Sequence, residues 1–151
     1  AKREGDGATP AGAWRLTRLW WRADRLARPV CALPAAPAGP ALGWSDDPED
    51  PAYNRPVALP HPFSHERMAR PDPLYDVVVA TDHNSCPPRP GLGSAIFLHC
   101  WRAPRLATEG CVALRRDHLR WVLANWRPAA RLIVRDPFPQ RAEAVILPQR
   151  G

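Results

Sequence analysis

Ser94-Ala95-Ile96-Phe97-Leu98-His99-Cys100-Trp101-Arg102-Ala103-Pro104-Arg105-Leu106-Ala107-Thr108-Glu109-Gly110-Cys111-Val112-Ala113-Leu114 is the stretch that decides the fold class. Ser94 to Cys100 is an apolar run of strand length, Trp101 to Gly110 is a loop, and Cys111 to Leu114 resumes the apolar pattern. Just downstream, Leu119, Val122, Leu123 and Trp126 recur at i, i+3, i+4 and i+7. That spacing predicts a helix over residues 116–126, and Pro128 ends it. Upstream, Leu74-Tyr75-Asp76-Val77-Val78-Val79-Ala80 is rich in β-branched residues and predicts a buried strand. Thr81 to Gly93, between the two strands, is turn-rich. Further out, Trp14 to Trp21 is aromatic and roughly alternating, which predicts one strand. Arg131 to Arg135 predicts another, and Ala144 to Leu147 a weaker one. The pieces add up to a mainly β chain with one main helix.

Composition agrees. Fourteen of the 20 prolines lie between Pro29 and Pro90. Proline removes a backbone donor and breaks helices, so a helical bundle is excluded. Residues 29–73 are expected to form a long ordered excursion of short strands and turns, which in a compact domain is usually functional. The 151 residues suit one domain, and no apolar run approaches the roughly 20 residues a membrane span needs. The chain opens on Ala1-Lys2-Arg3-Glu4-Gly5-Asp6-Gly7, without Met or an apolar leader, and reads as trimmed.

The net charge of +6 is compatible with an anionic partner. Lys2 is the only lysine, however, so the excess is carried by arginine and equally reflects a GC-rich coding bias. There is no basic run and no interleaving of cations with aromatics, which argues against nucleic acid. The four cysteines, at 31, 86, 100 and 111, contain no C-x-x-C, so a structural zinc is not expected. They are also too sparse for a disulfide scaffold, and any pairing among Cys31, Cys86 and Cys100 stays open. His61 and His65 are four apart, but Pro62 disfavours a helix and no third ligand is evident, so no metal is expected.

His99 and Cys111 are the sharpest chemical pair. A nucleophilic cysteine needs a base, room for substrate, and backbone N–H groups for an oxyanion. A strand-end His and a Gly-Cys turn twelve residues later can supply all three. The competing reading is a small hydrophobe and a satisfied core histidine, and spacing by itself leaves both open.

The motifs resemble a known family. Gly93 to His99 followed by Thr108-Glu109-Gly110-Cys111-Val112 is similar to the active-site signature of the YkuD-type L,D-transpeptidase domain, which has an upstream His and then a Ser/Thr-His-Gly-Cys turn. Gly5-Asp6-Gly7-Ala8-Thr9-Pro10-Ala11-Gly12 resembles that family's opening turn. Trp44-Ser45-Asp46-Asp47-Pro48, Pro51-Ala52-Tyr53-Asn54-Arg55-Pro56 and Asp82-His83-Asn84 are similar to a compact bacterial subgroup.

The resemblance implies a YkuD-like β-sandwich or partly open barrel with a helix after Cys111, forming one catalytic domain over residues 1–151. It implies Cys111 as nucleophile and His99 as base, with its ring oriented by the Cys100 carbonyl. Gly110 and Cys111 would offer their N–H groups to the oxyanion. It further implies peptidoglycan stem peptides as partners, a diaminopimelate amine as acceptor, no cofactor, a monomer, and a periplasmic or cell-envelope location. Glu109 stands where the family has His, and Ala113 where it has Arg; Arg115 and Arg116 either restore positive charge near the site or are a solvated helix start, and the sequence leaves both open. Tyr53, Asn54, Asn84, Trp101, Thr108, Glu109 and Arg115 are the candidate substrate contacts. Two alternatives stand beside this reading: an L,D-carboxypeptidase or amidase using water, and a non-catalytic basic wall-binding protein. The choice between 3-3 and 1-3 crosslinks stays open.

Overall fold

Val77, Val78 and Val79 are each wholly buried, although successive residues of a strand face opposite ways. Their strand must therefore be covered on both faces, and the rest of the fold supplies the two covers. The computed structural model describes residues 2–104 and 106–136. Within them the chain forms β1 (Gly12–Trp14), β2 (Leu16–Trp21), β3 (Ala35–Pro37), β4 (Leu42–Ser45), β5 (Pro56–Ala58) and β6 (His65–Arg67). It continues with β7 (Val77–Thr81), β8 (Phe97–Cys100), β9 (Val112–Leu114), α1 (Arg116–Asn125) and β10 (Leu132–Val134).

A five-stranded sheet in the order β3-β2-β7-β8-β9 is the central layer. On one face, Leu16, Leu19, Val77, Val79, Leu98 and Cys100 pack against Leu119 and Leu123 of α1. On the other, Trp20, Val78, Ala80 and Phe97 pack against Trp44 of the three-stranded sheet β5-β4-β6 and against Met68, just after β6. Trp44 meets both Trp20 and Phe97 edge to face, at 5.8 and 5.0 Å, which fixes the two sheets around one aromatic group. The result is the mainly β, sandwich-like architecture expected, with multiple sheets and, among the described residues, one helix and no closed barrel.

Two expectations need correction. Trp14 to Trp21 is not one strand. The chain turns at Arg15, whose N–H donates to Asp82 Oδ1 at 2.7 Å, so β1 pairs with β10 while β2 joins the central sheet. The run from Ser94 also enters its sheet late, because Ala95 takes a positive φ of 51° and only Phe97–Cys100 keeps the ladder. The helix runs from Arg116 to Asn125, one residue short of the expected end. The Pro-rich excursion does carry short strands, β3 to β6. The strand expected at 144–147 lies outside the described residues.

Candidate active site

Strands β8 and β9 are parallel neighbours, with Leu98 opposite Val112 and His99 opposite Ala113. Leu98, Cys100, Val112 and Leu114 belong to the core under α1. Side chains alternate, so His99 and Cys111 must share the other face as diagonal neighbours across the pair. Both line a cleft of about 900 Å³. Its walls come from the N-terminal segment around Lys2 and Glu4, from His65 and Glu66 of β6, and from Leu106 to Glu109.

The Cys111 thiol is held by backbone. Its S–H donates to the Ala95 carbonyl at 3.2 Å, and its Sγ accepts from the Phe97 N–H at 3.4 Å. Burial pushes the thiol up to about 12, and the Glu66 and Glu109 carboxylates push the same way. The Phe97 N–H and the Lys2 ammonium oppose them. Cys111 is therefore a neutral thiol at neutral pH and needs a base at the moment of attack.

His99 can be that base. Its Nδ1–H donates to the Cys100 carbonyl at 2.8 Å. A carbonyl only accepts, so the neutral ring carries its lone pair on Nε2. Burial holds the ring's pKa below its ordinary value, keeping it neutral at pH 7. Tyr75 packs edge-on to the imidazole at 5.2 Å between centroids and fixes its plane.

The Gly-Cys turn is shaped by close packing. Gly110 has φ +108°, and a Cβ there would stand 2.8 Å from the Ala8 carbonyl. Only glycine lets the N-terminal segment lie this close over the turn. Thr108 Oγ1 donates to the Cys111 carbonyl at 2.6 Å and staples the turn shut. Lys2 reaches beneath the same segment, with its ammonium on Asp6 and its stem against Gly93. Sequence patterning did not single out Lys2, but its signal was there: it is the only lysine and lies beside the opening Gly-Asp-Gly turn.

The candidate residues fall into two groups. Cys111, His99, Thr108 and Glu109 line the cleft together, and Gly110 forms the turn beneath it. Tyr53, Asn54, Asn84, Trp101 and Arg115 do not line it. Tyr53 is buried and hydrogen-bonds Glu4 through its hydroxyl, which anchors the N-terminal segment. Asn54 is a buried hub with φ 56°. Its Oδ1 accepts from Trp44 Nε1 at 3.0 Å and the Ala95 N–H at 3.1 Å, and its Nδ2 donates to the His83 and Asn84 carbonyls. It thus holds the strained Ala95 whose carbonyl receives the thiol. Asn84 organises its own loop through Arg89 and Gly93. The Trp101 N–H pairs with the Leu114 carbonyl. Arg115 pairs with Asp117, and Arg116 with Asp76, so neither brings charge to the cleft. Among the described residues the cations that line the cleft are Lys2, Arg70 and Arg102 instead. Glu66 and Arg70 had no local sequence signal, because they lie in and just after β6, a three-residue strand inside the Pro-rich excursion, and Tyr75 was read only as part of the buried strand from Leu74.

Among the described residues all four cysteines are free, and no group of three or more His, Cys, Asp or Glu is placed to hold a metal. His61 is tied to Asp50 at 2.6 Å, and His65 Nδ1 to the Phe63 carbonyl at 2.7 Å. A family model described as the YkuD L,D-transpeptidase catalytic domain matches residues 1–134. The chain belongs to the YkuD family. No curated protein and no solved structure matches it. Enzymes of the YkuD family act on peptidoglycan and are associated with the cell wall. In this YkuD domain no helix among the described residues is long and apolar enough to cross a membrane.

Proposed function

We propose that this YkuD domain is a peptidoglycan L,D-transpeptidase that works by cysteine acyl transfer. The observation that carries the reading is the placement of Cys111 and His99 on one face of β8 and β9, open to a single cleft, with His99 Nδ1 committed to the Cys100 carbonyl. An amide carbonyl of the donor stem enters beside Cys111. The S–H swings from the Ala95 carbonyl toward His99, and Nε2 takes its proton as Sγ attacks. N–H groups of Gly110 and Cys111 face the developing oxyanion. The tetrahedral centre collapses as His99 returns the proton to the leaving amine, which departs and leaves a thioester on Cys111. An acceptor amine, supplied by diaminopimelate, then attacks the thioester. His99 takes a proton from that amine and gives it to the departing sulfur.

The thiol starts neutral, so attack and proton transfer are coupled, and no resident thiolate–imidazolium pair is needed. Action on cell-wall stems places the enzyme in the cell envelope. The test is incubation of purified stem-containing muropeptides with the wild-type chain and with Cys111→Ala, with products identified by mass. Dimers from the wild type and none from the variant are expected. Crosslinking by Cys111→Ala at the wild-type rate overturns the mechanism, and shortened monomers without dimers assign water as the acceptor.

A further inference from the structure

We infer that Glu66 is the residue that receives the acceptor's ammonium in this cleft and takes its first proton. This rests on the acyl-transfer reading for its place in the reaction, but not for the binding it predicts. Glu66 lies on β6, opposite Trp44 in the three-stranded sheet, and reaches the cleft from the wall facing the central sheet. It is near enough to Cys111 for its charge to act on the thiol.

Its two oxygens are used differently. Oε1 accepts the Tyr75 hydroxyl at 2.6 Å and lies 3.6 Å from Arg70 Nη1. Among the described residues nothing hydrogen-bonds Oε2. Tyr75 is buried, and its ring is the same one that fixes His99. One aromatic side chain thus touches both the imidazole and the carboxylate, and leaves Oε2 of this cleft-lining residue without a hydrogen-bond partner among the described residues.

A structural role alone does not account for this carboxylate. Its charge works against the nucleophile by raising the Cys111 thiol, and burial raises its own pKa. An incoming cation offsets both effects. An alkylamine near pH 7 is an ammonium, with pKa about 10.4, and cannot attack until it loses a proton. The ammonium gives one proton to Glu66, forming the neutral amine and the carboxylic acid. The amine forms its N–C bond to the thioester carbonyl while its second proton passes through His99 to the leaving Cys111 sulfur. A carboxyl with a raised pKa is a stronger base for the first of these transfers than an ordinary surface glutamate.

The experiment uses the Cys111→Ala chain, which binds without reacting. It is titrated calorimetrically with a diaminopimelate-containing tripeptide, and with the same peptide acetylated on the side-chain amine. The free amine should bind about tenfold or more tightly than the acetylated form, the weight of one charge-assisted contact. Adding Glu66→Gln should erase that preference while leaving binding of the acetylated peptide unchanged, which also reports that the variant is folded. A preference that survives Glu66→Gln, or equal binding of the two peptides to Cys111→Ala, overturns the assignment. Failure of the wild-type chain to form a mass adduct with a carbapenem at Cys111, together with loss of the amine preference in Glu66→Gln, overturns acyl transfer and upholds Glu66 as the amine site.

Discussion

Cys100 ends β8 and Cys111 immediately precedes its neighbour β9, and burial raises the pKa of both thiols. They face opposite layers. Cys100 is 3% exposed and packed with Leu98, Leu119 and Leu123 under α1. Cys111 opens on the cleft, with the Phe97 N–H on its sulfur and His99 on the same face. Burial and thiol acidity therefore do not separate Cys100 from the proposed nucleophile, Cys111. What separates them is the strand face, and with it the imidazole and the cleft, since a backbone contact reaches both thiols, from Val77 at Cys100 and from Phe97 at Cys111.

The largest effect should come from exchanging the two cysteines' roles in the test. Cys111→Ala is expected to lower crosslinking about 10³-fold or more, as removal of a nucleophile does, measured as dimer formation by mass. His99→Ala comes next, at about 10²- to 10⁴-fold. In the wild type the base works only when His99 is neutral. Its folded pKa is lowered, so the rate should hold as pH falls through 6.5 and drop only below it. A kcat/KM profile whose acid limb lies above 6.5 contradicts the burial of His99.

Asn54→Ala tests the support of Ala95. It should cost about 2–4 kcal/mol, because it leaves Trp44, Ala95 and two loop carbonyls without partners and puts alanine at φ 56°. Urea unfolding reads the stability, and a fall in acylation rate larger than the unfolded fraction reads the displaced carbonyl. Cys100→Ala should have the smallest effect, about 1–2 kcal/mol from a small cavity beneath α1, with crosslinking unchanged. A loss of activity in Cys100→Ala comparable to that in Cys111→Ala would break the contrast between the two faces.

Much of this contrast was legible in the residues. The valine run, the i, i+3, i+4, i+7 pattern and Pro128 located the central strand and the helix, because burial imposes those periods on the chain. The His99 and Gly110-Cys111 motifs marked the cleft, since both sit at strand ends whose spacing is local. The break at Arg15 was not legible, as it depends on Asp82, 67 residues away. The roles of Tyr53, Asn54 and Asn84 were missed for a similar reason. Asparagine and tyrosine in a Pro-rich loop read as exposed polar groups. Here they satisfy backbone atoms contributed by other loops and by the N-terminal segment. Arg115 and Arg116 looked near the site in sequence, but the start of α1 turns them to Asp117 and Asp76.

By itself the sequence determined the class of fold, the helix and the central strand, and singled out Cys111 and His99 as the chemical pair to propose, because each rests on a local period or a short motif. Only the tertiary structure decided which charges surround them. Lys2 comes from the N-terminal segment and Glu66, Arg70 and Tyr75 from one stretch well before His99 and Cys111 in the chain, and a site's electrostatics depends on distance through space, to which neighbours along the sequence give no guide.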